Sequence, residues 1–268
     1  MNLPRFEYAD RRALAALVFV DALGARVISP VSVSAPPRVR LLHKRPGEMV
    51  VMEVPNLAKH DTFVAPPDDT PLGSVAVQLD IRPAAYGLGA RRYELSLPRN
   101  PVSAVPLPAD SLFRPIEIPL LPAPGATPTG LAAALSVTLR RADDGRRIEG
   151  ALLRLRPDGG RPVARALTDA AGEALLLVPG VPISVAGPAA TVLPDLGAML
   201  DAIIDPALAR FHRDDALDAA RAAAARRSTG FVNPDDLETR LAGSATPAMP
   251  IRIVAGRSRT AQLEWTPA

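Results

Sequence analysis

The chain contains no cysteine, which excludes disulfides, thiolate metal sites and a cysteine nucleophile. Histidine is nearly as scarce: His43, His60 and His212 are the only three, too few and too scattered for the clustered ligands that zinc demands. Aromatic residues make up 4% of the chain, which argues against a stacking platform for sugars or single-stranded nucleic acid. Only two of the 31 basic residues are lysine (Lys44 and Lys59), and the formal net charge is +3. The arginines fall as pairs beside apolar runs (Arg11-Arg12, Arg91-Arg92, Arg140-Arg141, Arg146-Arg147, Arg226-Arg227). There they keep β surfaces soluble, and nucleic acid is not an expected partner. No segment approaches the roughly 20 apolar residues of a membrane span. The apolar run over 13–20 is short, ends at Asp21 and offers no small-x-small cleavage site, so it reads as a strand and not as a signal peptide.

What is present points to β-structure. Between 135 and 179 the sequence alternates apolar runs with explicit turns: Asp144-Gly145, Asp158-Gly159 and Thr168-Asp169-Ala170-Ala171-Gly172 all supply residues that tolerate positive φ. The order of strand, D-G turn, strand with Gly150-Ala151, strand, T-D-x-x-G and strand resembles the carboxypeptidase regulatory-like domain, a transthyretin-like β-sandwich. That resemblance implies a non-catalytic module. The zinc carboxypeptidases that carry it keep their chemistry in a separate domain, and nothing here resembles that domain.

Length and composition, 268 residues with 48% hydrophobic and 30 prolines, suit two β-rich domains better than one helical one. Strands are expected at 14–20, 26–33, 38–43, 48–54, 74–81 and 91–97, several alternating apolar and polar (Val75, Val77, Leu79, Ile81; Tyr93, Leu95, Leu97). Residues 56–73, with Pro66-Pro67-Asp68-Asp69, read as a long loop. The strand-turn-strand pattern at 18–35 recurs at 137–156, and that at 46–55 recurs at 171–179, a tandem repeat offset by about 125 residues.

The expected fold is mainly β: two tandem β-sandwiches, at 1–100 and 131–268, joined by a Pro-rich strap over 101–130. A helical insertion is expected at about 192–243 in the second. It comprises a short helix at 194–204, a longer one at 207–227 introduced by Asp205-Pro206, and a third begun by Asn233-Pro234 and ending near Gly243. Strands at 249–254 and 259–265 close the chain.

Enzymatic signatures are missing. There is no G-x-S-x-G elbow, P-loop or H-E-x-x-H, and Gly87-Leu88-Gly89 reads as a turn. The Asp-Asp pairs (68–69, 143–144, 214–215, 235–236) sit where aspartates cap turns and helices. No cofactor, no metal and no catalytic residue are therefore expected. Partner-binding residues are expected on the strap and insertion: Phe113 and Ile116, Leu208 and Phe211, with Trp265 as a core residue or interface anchor. Regulatory-like sandwiches fused to small domains resemble accessory components of phage-tail-like contractile injection machines. This implies a cap, baseplate or decoration role among protein subunits, with self-association as a further expected contact, synthesis in the cytoplasm and a place in a particle released from the cell. A carbohydrate- or cell-surface-binding module is the alternative if aromatic residues cluster on one exposed sheet face.

Overall fold

The computed structural model of the chain describes residues 12–57, 70–102, 105–128, 132–157, 160–181, 184–186, 191–193, 195–220, 231–241 and 246–267. The first half contributes β1 (Ala15–Val20), β2 (Val31–Ser34), β3 (Arg40–Arg45), β4 (Glu48–Glu53), β5 (Val75–Pro83), β6 (Arg91–Leu97) and β7 (Ile116–Pro119). One sheet runs β3-β4-β1-β7 and a second β2-β5-β6. The alternation read from the sequence orients them: Val77, Leu79 and Ile81 of β5 and Leu95 and Leu97 of β6 face inward. They meet Leu17, Phe19, Met49 and Val51 from the other sheet.

The second half contributes β8 (Ala133–Arg141), β9 (Arg147–Glu149), β10 (Leu152–Arg156), β11 (Ala164–Leu167), β12 (Glu173–Val178), β13 (Ser184–Ala186), β14 (Thr191–Leu193), β15 (Asp195–Ile203), β16 (Arg210–His212), β17 (Ala248–Val254) and β18 (Ser258–Trp265). Between β16 and β17 the described residues include a 3-10 turn at Asp214–Ala216, helical residues 217–220 and a helix at Pro234–Arg240. One sheet runs β12-β8-β9-β16 with β18 beside β8, a second runs β11-β10-β15-β17, and β13-β14 form a hairpin. Leu135, Val137 and Leu139 pack across the gap against Leu153, Leu155 and Leu200. Burial of each such side chain contributes about 1.5–3 kcal/mol.

The two halves share one wiring. β1 runs antiparallel to β4 and parallel to β7, as β8 runs antiparallel to β12 and parallel to β18. The facing sheets are likewise antiparallel in both, β2-β5-β6 and β10-β15-β17. The repeat visible as strand-turn-strand pattern is thus also a repeat of topology.

The structure corrects the expected helices. Residues 195–203 form β15, the central partner of β10 and β17. Leu200 and Ala202 face the sandwich core while Asp201 and Ile203 are buried on the opposite face. A strand covered on both sides shows a continuous apolar run that periodicity cannot separate from a buried helix. Asp205-Pro206 makes one turn only; of the expected 207–227 helix, a 3-10 turn at Asp214–Ala216 and helical residues 217–220 are seen, and 221–227 lie outside the described residues. The Asp205 carboxylate accepts the Ala207 N–H (2.9 Å), its carbonyl accepts from Leu208 and Ala209 (3.0 and 2.8 Å), and β16 follows. In contrast, Asn233-Pro234 does start a helix: the Asn233 side chain accepts the Asp235 N–H at 3.2 Å.

The strap is divided. Its β7 segment completes the first sheet, and Ile118 and Leu120 are fully buried in the first core. The apolar residues expected to need an outside surface therefore find one, in part, within their own chain.

Candidate functional site

The outer face of the β11-β10-β15-β17 sheet carries two rows. Leu152, Leu167 and Ile203 lie side by side in one, and Arg154, Arg165 and Asp201 in the other. The Pro234–Arg240 helix matches both. Leu237, with Val232 before it, covers the apolar row, while Asp235 and Glu238 meet the charged one. Arg154 donates to Asp201 (2.8 Å) and Glu238 (3.2 Å), Arg156 donates to Asp201 (2.5 Å), and Arg165 donates to Asp235 (2.9 Å) and Glu238 (3.0 Å). Arg240 closes the helix against Asp205 (2.6 Å).

Arg91 of β6 joins this network from the first half. Its side chain is wholly buried, and the guanidinium donates to Asp235 and to the Pro119 (2.8 Å) and Arg92 (3.2 Å) carbonyls. The Arg92 N–H adds a bond to the Val232 carbonyl (2.9 Å). Burial pulls the Arg91 guanidinium below its ordinary value, against the pull of Asp235. Burial pushes Asp235 up, but Arg91 and Arg165 outweigh it and hold the carboxyl below its usual range. The halves are thus joined by a multiply hydrogen-bonded ion cluster built around the buried Arg91, a feature that fixes geometry more than it adds stability.

Beside it lies a cleft of about 310 Å³ between the halves, lined by Arg82, Leu88 and Pro122 on one side and by Gly150, Thr168 and Arg210 on the other. Its polar groups serve the frame. The Thr168 hydroxyl accepts the Ala151 N–H (2.9 Å), Asp169 accepts the Ala171 and Glu173 amides (2.8 and 3.0 Å), and Arg82 lies 5.2 Å from the Phe231 ring centre. Glu149 at the rim contacts His212 Nε2 at 2.5 Å. No group of three or more potential metal-ligating side chains occurs among the described residues. His43 is exposed on β3, and His60 lies outside the described residues.

The sequence-expected contact residues are scattered. Ile116 is half-buried against the first core. Phe211 and Trp265 stack on each other, 5.9 Å between ring centres and 11° between planes, at the edge of the second core, with Arg141 5.2 Å from the Phe211 ring centre. Both rings are half-buried against that core. Leu208 is half-exposed in the turn after Asp205.

Phe113, 52% exposed, belongs to a loop with a different character. Its base is tied: Asn100 N–H donates to the Asp110 carbonyl (3.0 Å), Leu112 N–H donates to the Asn100 carbonyl (2.7 Å), and Arg99 donates to the carbonyls of Ser111 and Ala109 (3.1 and 3.0 Å). From this pinned base Val102, Val105, Leu107 and Phe113 project into solvent, Val105 at 95% exposure.

No known family and no curated protein matches the chain. Among solved structures it is similar to the 5-hydroxyisourate hydrolase of Klebsiella pneumoniae, at 19% identity over 51% of this chain and 92% of that one, with a TM-score of 0.25. The TIE protein of Bacillus anthracis is 10% identical over 95% of this chain and 34% of that one, with a TM-score of 0.26. The shaft pilin SpaA of Lactobacillus rhamnosus GG is 10% identical over 72% of this chain and 64% of that one, with a TM-score of 0.19. Likeness at this level assigns no activity. None of the three is named as part of a contractile injection machine.

Sequence reasoning missed Arg91 and Asp235. A signal existed for the first, because Arg91 shares the inward parity of Leu95 and Leu97 on an alternating strand, where a charge must find a partner. For the second there was none: Asn233 caps the helix as its sequence predicts, and Asp235, expected to cap backbone or face water, turns to Arg91 and Arg165.

Proposed function

We propose that the chain is a non-catalytic structural or adaptor subunit that binds other protein subunits through the apolar tip of the 100–113 loop. The observation that carries this reading is the exposure of Val102, Val105, Leu107 and Phe113 on a loop whose base is held by backbone and Arg99 hydrogen bonds. Exposed apolar groups beside a hydrogen-bonded base gain the whole of their burial on binding. The finer assignment, a cap, baseplate or decoration component of a phage-tail-like contractile injection machine, rests on the sequence resemblance alone.

The test is a Val105→Asp, Phe113→Asp double variant. Neither side chain is part of a core, so unfolding free energy should change by no more than about 0.5 kcal/mol. Co-purification with partner subunits from the producing cells should fall at least tenfold. A variant that keeps its partners sends the contact surface elsewhere; one that unfolds shows the loop to be core.

A further inference from the structure

The sandwich sheets have edges, and among the described residues most of these are blunted. β2, β7 and β11 have four residues and β16 has three. β3 carries Arg40, His43, Lys44 and Arg45 and two register shifts. β6 is shielded where its Arg92 N–H meets the Val232 carbonyl, and β12 is itself buried. β17 holds Pro250, and its Arg252 carbonyl already accepts from Arg259 (2.6 Å). These are the devices by which natural sheets avoid adding a foreign strand.

β18 has the fewest of them: its two charges, Arg259 and Glu264, are of opposite sign, and no segment covers it among the described residues. It runs eight residues without proline, glycine or register shift, parallel to β8. The Arg257 and Trp265 carbonyls accept from Ala134 and Ala142, so the odd-numbered residues turn their backbone groups toward β8. By alternation Thr260, Gln262 and Glu264 turn theirs to the open side. Among the described residues nothing pairs with that side, and all three are exposed.

We propose that β18 is a self-association edge, on which a second copy of this chain adds its own β18 antiparallel about a two-fold axis at Gln262. The strand is self-complementary in that arrangement. Outward-turned residues face one another, Gln262 across from the second copy's Gln262 and Thr260 across from its Glu264, giving polar pairs on the outer face. On the core face Ala261 meets Leu263, and Arg259 comes opposite the second copy's Trp265. The basic end of each strand therefore lies against the acidic, aromatic end of the other. Parallel addition would set like charges side by side. Such pairing is isologous and closes at two copies, so it yields a dimer and no fibre. It would form whether or not the chain also joins a larger assembly.

Sedimentation equilibrium on the full chain tests this. The wild type is expected to show a concentration-dependent monomer–dimer equilibrium. Gln262→Pro removes the central outward N–H and Gln262→Lys sets two ammonium groups against each other. Each should raise the dimer dissociation constant at least tenfold without altering far-UV circular dichroism. Should the proline variant fail to fold, the lysine variant decides. Gln262→Cys supplies the chain's sole thiol, and mild oxidation should trap a disulfide dimer, since residues facing across a two-fold hydrogen-bonded pair lie within bridging distance. A wild type that stays monomeric at every concentration overturns the proposal and leaves the edge to a strand of another protein. A dimer untouched by both substitutions, or a thiol that does not cross-link, overturns it equally.

Discussion

Replacing Asp235 by alanine is expected to destabilise the folded chain by about 3 kcal/mol, the lower end of what breaking a buried ion pair costs. The effect comes from what is left behind. Arg91 is completely buried, and without Asp235 its charge keeps the Pro119 and Arg92 carbonyls and the Tyr93 ring face but no counter-ion. The reverse substitution is gentler. In Arg91→Met an apolar stem fills the same space, while Asp235, 42% exposed, retains Arg165 and water. A loss of about 1 kcal/mol is expected there. Urea unfolding of both variants measures the asymmetry, and equal losses would show that the cluster is not held together by Arg91's need for a counter-charge.

The same pair predicts a pH dependence. Asp235 titrates below its ordinary value in the folded chain, so it favours folding above the usual carboxylate range and that contribution disappears as pH falls through and below it. The stability gap between wild type and Asp235→Asn should therefore be widest near pH 6 and narrow by pH about 3. A constant gap would contradict it.

A larger loss still is expected from Gly47→Ala, about 3 kcal/mol or more. Gly47 turns the chain between β3 and β4 at φ +72°, and a Cβ there would stand 1.8 Å from the Val27 carbonyl oxygen. That oxygen is backbone and cannot rotate away. Gly24→Ala is the control, because its φ is +82° but nothing lies within 4 Å of the added methyl. It meets only the intrinsic cost of a left-handed residue, about 1 kcal/mol. Thermal unfolding of the two variants should separate them clearly. Similar shifts would mean that the turn at Gly47 relaxes to make room.

The contrast shows what a sequence can announce. Strands with one covered face and one open face, such as β5 and β6, alternate and could be placed within a residue or two. The turns around Gly145 and Gly172 name themselves through the positive φ they require. β15 could not be read, because the sheet-borne helix covers its second face and erases the alternation. The strap was legible as proline-rich but not as divided, since the pairing of β7 with β1 joins residues about 100 apart and leaves no local trace. The apolar loop tip was half legible. Phe113 stood out as an apolar residue on an extended segment, but Val105 stands out only through its exposure.

The central claim is that this chain works as a bound subunit, and its native size tests that most directly. A tagged chain sedimented through a density gradient from gently lysed producing cells should travel with a particle far larger than the 28.2 kDa monomer or its dimer. The Val105→Asp, Phe113→Asp variant should remain near the top. A wild-type chain found only near the top, as free monomer or dimer, would contradict the account.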